Sequence, residues 1–325
     1  MSILITGGAG FIGSHLCESF GARGLPVTVL DDLSSGTRSN FVLPMGDLVA
    51  EGCVNLVEGD VADAALVAKL VAEANVVYHL AAIASVPVCT AEPERATRTN
   101  VAGTQAVFDA VAAAQKVTGR QIPVIYASSA AVYGDNPNIP LSESETPAPI
   151  NLYGEHKLEN ERIAARAFTQ HGVRSVGLRF FNVYGPRQDP SSPYSGVISK
   201  FIDNARAEKP LTIFGDGEQF RDFIYVSDIV NTLLTSESYA KGSFGHDANA
   251  SVFNVGTGTA TNLKLLARTI GMALHARDPD LDFQPARAGD ITRSLANPAA
   301  IMDAMQIGHW TALRSGLEQT LAAHA

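Results

Sequence analysis

One stretch near the amino end, Ile3-Leu-Ile-Thr-Gly-Gly-Ala-Gly-Phe-Ile-Gly-Ser-His-Leu16, constrains the fold more than any other. A short aliphatic run feeds into three spaced glycines and then an amphipathic segment, which reads as strand, tight turn and helix. Gly7 permits the turn, Gly10 lets backbone approach a pyrophosphate, and Gly13 allows the helix to pack closely on the strand. The helix opens at Phe11 and Ile12, and its free amides and dipole suit an anionic ligand. The second strand, VTVLD, ends at Asp31. A carboxylate there can accept hydrogen bonds from both ribose hydroxyls and repels a 2′-phosphate, so the expected cofactor is NAD rather than NADP. Asp32 reads as a solvated turn residue.

The same rhythm continues through VNLVEGD, VVYHLAA and PVIYASS, with helical patterns over 11–23, 62–74 and 94–117. Strands joined by helical crossovers make a parallel sheet covered on both faces, so an α/β chain with a Rossmann-type doubly wound parallel sheet is expected. The segment from Asp135 to Pro149 lacks an apolar period and is expected as a surface loop before a helix over 151–170. Beyond it, RSVGLRFFNVYG is a strand running into a second irregular stretch. The remainder mixes strands such as SVFNVG with helices such as LKLLARTIGMAL and loses the βα rhythm. That change predicts a smaller mixed α/β substrate domain. Residues 1–181 plus about 223–253 are assigned to the cofactor domain, and about 182–222 plus 254–325 to the second.

With 46% hydrophobic residues in 325, the chain can bury a large core. Its net charge of -9 and the absence of Lys/Arg runs argue against nucleic acid and membrane surfaces as partners. The amino end has no basic segment and its apolar run is broken by glycine, so it reads as neither signal peptide nor membrane span, and a cytoplasmic location is expected. Cys17, Cys53 and Cys89 form no CxxC pair and read as small core thiols. No cluster has metal-ligand spacing, so no metal is expected. His79 reads as a strand-end histidine and His156 as a helix-surface one.

The stretch Asn151-Leu-Tyr-Gly-Glu-His-Lys157 carries the expected chemistry. Tyr153 and Lys157 stand four apart, so on a helix they share one face. A phenol is a poor base near neutral pH, but an adjacent ammonium and a cationic nicotinamide ring favour its phenolate. Of the chain's 8 tyrosines only Tyr153 has lysine at the fourth following position. The serines of ASSAAVYG, at the end of a strand, emerge at the edge where such sheets bind ligands.

Glycine triplet, serine and Tyr-x-x-x-Lys in that order resemble the extended short-chain dehydrogenase/reductase family, and more narrowly its NAD-dependent UDP-hexose 4-epimerases. The resemblance spans the chain through TGGAGFIGSHL, LDDLSSG, GDV, HLAA, NVAGT, SSAAVYGD, LYGEHK, LRFFNVYGPRQDP, IFGDGEQFRDFIYVSDIV, NVGTG and RAGDI. It implies that Asp60 and Val61 hold the adenine and that Leu80, Ala81 and Ala82 lie along the cofactor. Asn100 would steady the neighbourhood of the catalytic serine, which is Ser129, with Ser128 and Ser85 beside it toward substrate. Tyr153 would act as acid and base, and Lys157 would also bond the nicotinamide ribose. Asn182 and Arg221 match diphosphate ligands, with charge added by Arg187, and Val197 joins the substrate site. Arg287 and Asp290 match residues reaching the diphosphate and uridine ribose, while Leu211, Thr212 and Phe214 would bracket the uracil.

The implied reaction is C4 epimerisation of a UDP-hexose through a transient 4-keto sugar. Ala130-Ala131 follows the serine where related dehydratases place Asp-Glu, and two methyl groups do no acid–base work. Ser294 stands where epimerases limited to UDP-glucose tend to carry a bulky aromatic, leaving room for a 2-acetamido group. RQDP at 187–190 resembles the branch acting on acetylated hexoses. The favoured pair is therefore UDP-GlcNAc/UDP-GalNAc, with UDP-Glc/UDP-Gal also turned over. The alternatives are a UDP-glucuronate 4-epimerase or decarboxylase, a dehydrogenase that releases NADH, and a non-catalytic NAD sensor. The resemblance also implies a homodimer through the catalytic helix and its neighbour.

Overall fold

A computed structural model describes residues 2–44, 46–188, 196–245, 249–286 and 291–323. The glycine-led unit forms as read: buried strand β1 (Ile3–Thr6) enters helix α1 (Phe11–Gly21). There follow β2 (Val27–Asp31), β3 (Val54–Glu58), α2 (Ala64–Glu73), β4 (Val76–His79), α3 (Gly103–Thr118), β5 (Val124–Ser129), α4 (Leu152–His171) and β6 (Ser175–Phe180). The second half contains β7 (Asn182–Tyr184), α5 (Val197–Arg206), β8 (Leu211–Phe214), β9 (Phe220–Tyr225), α6 (Val226–Ala240) and β10 (Ser251–Val255). It ends with β11 (Ala260–Asn262), α7 (Leu263–His275), β12 (Leu281–Gln284), α8 (Ala299–Met305) and α9 (Leu313–Ala323).

Seven strands form one parallel sheet in the order β10-β6-β5-β4-β1-β2-β3. The chain winds outward from β1 in one direction, then restarts at β4 and winds outward in the other. The carboxyl ends of β1 and β4 thus border the switch point where such sheets open a ligand crevice. Each face carries its own core. Leu16, Cys17 and Phe20 of α1 meet Ile229 and Leu233 of α6 on one side. On the other, Val67 and Val71 of α2 pack with Phe108, Val111, Ile163 and Ala164 of α3 and α4.

The smaller unit has a separate core in which Ile198, Phe201 and Ile202 meet Leu211, Ile213, Leu266 and Ile270. It is built on a three-stranded sheet, β11-β9-β7, and a parallel pair, β8-β12. SVFNVG, in the part without βα rhythm, supplies the seventh strand of the large sheet, and the expected boundary near 223 falls inside β9.

Two local expectations change. The helix expected over 94–117 is interrupted by a π turn at Arg98–Ala102 that carries buried Asn100; such wide turns recur at functional sites. The segment from Asp135 to Pro149 is also more than a surface loop. Leu141 packs among Val132, Tyr133, Phe181 and Ala296. Its amide donates to Leu295 O at 2.8 Å and its carbonyl accepts from Asn297 N at 2.7 Å, so one apolar residue in a polar segment stitches the two units together. Among the described residues no helix is long and apolar enough to cross a membrane.

Candidate active site

The three glycines differ in why they are glycine. Gly7 has φ +72°, and a Cβ there would lie 2.5 Å from Ala81 N; one on Gly13 would lie 2.3 Å from Gly7 O. Packing alone demands both. At Gly10 an added Cβ meets only Gly7 O, at 3.3 Å. Gly10 is also the N-cap of α1 without a side-chain cap bond, and the first turn holds no acidic residue. Unclaimed amides, a bare backbone and a helix dipole fit a dinucleotide's diphosphate.

Asp31 stands beside that turn. Its Oδ2 accepts from Ala9 N and its Oδ1 from Leu33 N, both at 2.9 Å. Burial pushes its pKa up and the two amides pull against it. Each oxygen keeps a further lone pair for a ribose hydroxyl, so the residues present fit NAD. Asp32 bonds Ser34 at the surface, as expected. Asp60 accepts from Ala62 N at 2.7 Å and from Arg98 Nε at 2.9 Å. Its partial burial favours the neutral acid, but the Ala62 amide and Arg98 outweigh that and hold it below the usual carboxylate range. Val61 is buried against Gly103.

Leu80, Ala81 and Ala82 leave the end of β4 beside Gly7, and Ala81 N donates to Thr6 Oγ1 at 3.4 Å. His79, at the last position of β4, lies between Thr6 Oγ1 (2.7 Å) and Thr104 Oγ1 (2.9 Å). Thr104 spends its own proton on Asn100 O, so the imidazole donates from Nε2 and accepts at Nδ1. Burial holds its pKa down to about 3, a neutral structural ring.

Asn151 caps α4 by accepting from Gly154 N at 2.9 Å, so the helix begins one residue before Tyr153 and places Tyr153 and Lys157 in its first two turns. Ser129 lies close enough to Tyr153 for its hydroxyl to favour the phenolate, and its Oγ accepts from Ala131 N at 3.2 Å. Lys157 Nζ donates to Ala127 O at 2.8 Å and lies 5.7 Å from the Tyr153 ring centroid. Burial pushes Tyr153 up to about 12, with the Ser129 hydroxyl working against it, and pushes Lys157 down to about 8. Each side chain resists ionisation in isolation; an acid–base pair needs compensating charge and hydrogen bonds.

Several expectations are corrected. His156 is buried rather than on a helix surface: its ring meets Thr97 Oγ1 at 3.0 Å and Asn100 Nδ2 at 3.3 Å. Asn100 in turn accepts from Ile83 N at 2.7 Å and donates to Ile83 O at 3.1 Å. Asn100 therefore ties the loop before Ser85 to the catalytic helix. Ser128 turns away from the cleft and donates to Glu161 Oε1 at 2.6 Å. Arg187 donates to Asn40 O at 3.1 Å and pairs with Glu18, against α1. Leu211 is fully buried in the small core, whereas Thr212 and Phe214 on alternate positions of β8 are partly exposed. Ser85 caps the short helix Val86–Ala91 and is buried.

On the other side of the site, Asn182 of β7 is in register with Phe223 of β9, and Arg221 of β9 with Thr261 of β11. Arg221 Nη1 donates to Phe220 O at 3.0 Å. Ser294 N donates to that same carbonyl at 3.2 Å, so Ser294 and Arg221 are neighbours across the strand start. Val197 opens α5, half-buried. Arg287 and Asp290 lie outside the described residues.

Sequence reading missed Asp222. Its buried carboxylate accepts from Thr257 N and Thr257 Oγ1 at 2.7 Å, Gly258 N at 2.8 Å and Ala296 N at 3.1 Å. It pins NVGTG and the segment after Ser294. It also missed Glu161 and Arg179, a buried ion pair under the catalytic helix. The available signal was a charge set inside an aliphatic strand, as in SVGLRF and FRDFIY. Among the described residues no group of three or more His, Cys, Asp or Glu could hold a metal.

A doubly wound parallel sheet with a dinucleotide cradle and a Ser–Tyr–Lys group at its carboxyl edge defines a short-chain dehydrogenase/reductase of the extended kind. More particularly, the chain belongs to the NAD dependent epimerase/dehydratase family, whose profile matches residues 3–256. It is 32% identical over 322 residues to a UDP-glucose 4-epimerase of Mycolicibacterium smegmatis, covering 99% of this chain and 97% of the relative. UDP-glucuronate 4-epimerase 1 of Arabidopsis thaliana is 31% identical over 98% of this chain and 75% of its own length. Among solved structures, a UDP-N-acetylglucosamine 4-epimerase from Methanobrevibacter ruminantium in complex with UDP-N-acetylmuramic acid superposes with TM-score 0.88 at 35% identity, covering 99% and 97% of the two chains.

Proposed function

We infer that the protein is an NAD-dependent UDP-sugar 4-epimerase whose favoured pair is UDP-GlcNAc and UDP-GalNAc, with UDP-Glc and UDP-Gal also converted. The observation that carries the reading is the convergence of Ser129, Tyr153 and Lys157 at the carboxyl end of β5, followed by Ala130 and Ala131. NAD, when bound, would supply the hydride acceptor and donor at C4. Tyr153 takes the proton of the sugar 4-hydroxyl as hydride leaves C4, and gives it back after the ketone has turned its other face. Ser129 hydrogen-bonds the reacting oxygen, and Lys157 favours the phenolate through its charge. Neither Ala130 nor Ala131 can move a proton at C5, which argues against dehydration.

Face reversal needs a firmly held nucleotide and a loosely held hexose. Asn182 and Arg221 are assigned to the diphosphate, Thr212 and Phe214 to the uracil, and Ser294 to the space beside C2 of the sugar. The half-buried serine next to Arg221 supports the acetamido preference, because a bulky ring there would fill that space. The homodimer is proposed through α3 and α4. Incubation with each nucleotide sugar, read by anomeric NMR signals without net NADH absorbance, tests the assignment. Conversion of both acetamido sugars is expected; conversion of UDP-glucuronate alone would replace this reading by the second one, which the Arabidopsis relative favours.

A further inference from the structure

We propose that the buried Glu161–Arg179 pair positions the catalytic hydroxyls by holding α4 in register with β5, and that this is its function rather than stabilising the fold. Three successive residues of β5 face three successive turns of α4. Ala127 O accepts from Lys157 Nζ at 2.8 Å and Ser128 Oγ donates to Glu161 Oε1 at 2.6 Å, while the Ser129 hydroxyl acts on Tyr153. Tyr153, Lys157 and Glu161 recur every four residues along one helix face.

Arg179, the register partner of Ser128 on β6, grips Glu161 with both arms, Nε to Oε1 at 2.8 Å and Nη2 to Oε2 at 2.7 Å. Its third nitrogen, Nη1, donates to Tyr133 Oη at 2.7 Å, at the end of the turn that follows Ser129. One guanidinium thus holds both the catalytic helix and the turn leaving the catalytic serine. The two side chains are 6% and 8% exposed. A buried ion pair adds little net stability over well-packed apolar groups, but its geometry is directional. The apolar stripe Ile163, Ala164 and Ala167 already packs α4 onto the sheet. That stripe leaves sliding along the helix axis weakly opposed, and a shift of about 1 Å at reacting atoms costs on the order of 100-fold in rate.

The proposal rests on the 4-epimerase reading but not on the acetamido preference, so the test uses whichever UDP-hexose the protein converts. Removing both charges together, Glu161→Leu with Arg179→Met, avoids stranding one of them. That variant is expected to melt within a few degrees of wild type, with kcat at least about tenfold lower and KM for the UDP-hexose within about twofold. Ser128→Ala removes one hydroxyl only and is expected to lower kcat about threefold with unchanged melting. Ultraviolet titration of Tyr153, read as a difference against Tyr153→Phe, should move upward in both variants because the Ser129 hydroxyl, which favours the phenolate, is held less firmly beside it; this readout needs no turnover. A folded double variant with wild-type kcat, or Ser128→Ala with both kcat and the Tyr153 titration unchanged, overturns the proposal. A wild-type protein converting no UDP-hexose would instead count against the proposed function, leaving the titration to decide the positioning.

Discussion

The two halves of the site are built differently. Around the cofactor and catalytic groups, nearly every functional side chain already has a protein partner: Asp31 on two amides, Asn100 on Ile83 and His156, Lys157 on Ala127. Around the residues proposed to hold the nucleotide sugar, the backbone is pinned by Asp222 while Asn182, Thr212 and Ser294 remain half-buried on short strands and connections. Side chains held by protein partners beside half-buried ones suit the proposed reaction, in which one sugar must present both faces to the same cofactor.

The largest expected effect breaks the rigid half alone. Tyr153→Phe should lower turnover by at least about 100-fold, the scale of a lost general acid–base group, while UDP-sugar binding measured by calorimetry persists. Comparable loss of binding would mean the two halves are not separable.

The glycines sharpen the contrast within the rigid half. Gly13→Ala forces a Cβ into Gly7 O and should prevent recovery of folded protein, whereas Gly10→Ala meets nothing closer than 3.3 Å and should keep the wild-type melting temperature. NAD affinity of the second should fall by about tenfold or more, since the new methyl stands where the diphosphate approaches. Equal melting losses would remove the distinction between packing and ligand glycines.

On the open half, Arg221→Ala should raise KM for the UDP-sugar by roughly 10- to 100-fold, the value of a charged hydrogen bond, with kcat altered less than threefold. A kcat loss without a KM change would move Arg221 into the rigid half.

The last comparison is read in stability rather than in turnover, as the response to acid. Burial holds His79 down to about 3, and burial with the Arg187 charge holds His15 down to about 4. Between the ordinary value of 6.5 and those values the unfolded chain binds protons the folded one refuses, so stability falls as pH drops below about 6.5. The limiting slope is about 1.4 kcal/mol per pH unit for each ring. Asp31 and Asp222, raised by burial, act with the opposite sign, gaining stability as pH falls toward the ordinary carboxylate range. The urea midpoint should therefore be lower at pH 5 than at pH 7; an unchanged midpoint would contradict neutral burial of the two histidines.

The strand–glycine–helix entry, Asp31, the βα alternation and the Tyr153–Lys157 spacing were legible because each is a local pattern with one conformational reading. The partners of Ser128, His156 and Arg187 were not. Each can turn toward cleft, core or neighbouring helix, and residues far apart in sequence decide the choice: Glu161 for Ser128, Asn100 for His156, Glu18 for Arg187. Leu211 was misread because a two-residue alternation does not say which face of a short strand meets a core.

By itself the sequence determined the fold class and the glycine-led entry and singled out the proposed catalytic trio, since periodicity, glycine placement and helical spacing act over a few residues. The tertiary structure alone decided how that trio is held and what shares its neighbourhood. β5 and β6 must lie side by side before Arg179 can face Ser128, and the polar segment around Leu141 must fold against Ala296 before the strip carrying Ser294 reaches Arg221. Those contacts form between residues whose separation along the chain carries no local signal, and only burial of the whole core brings them within hydrogen-bonding distance.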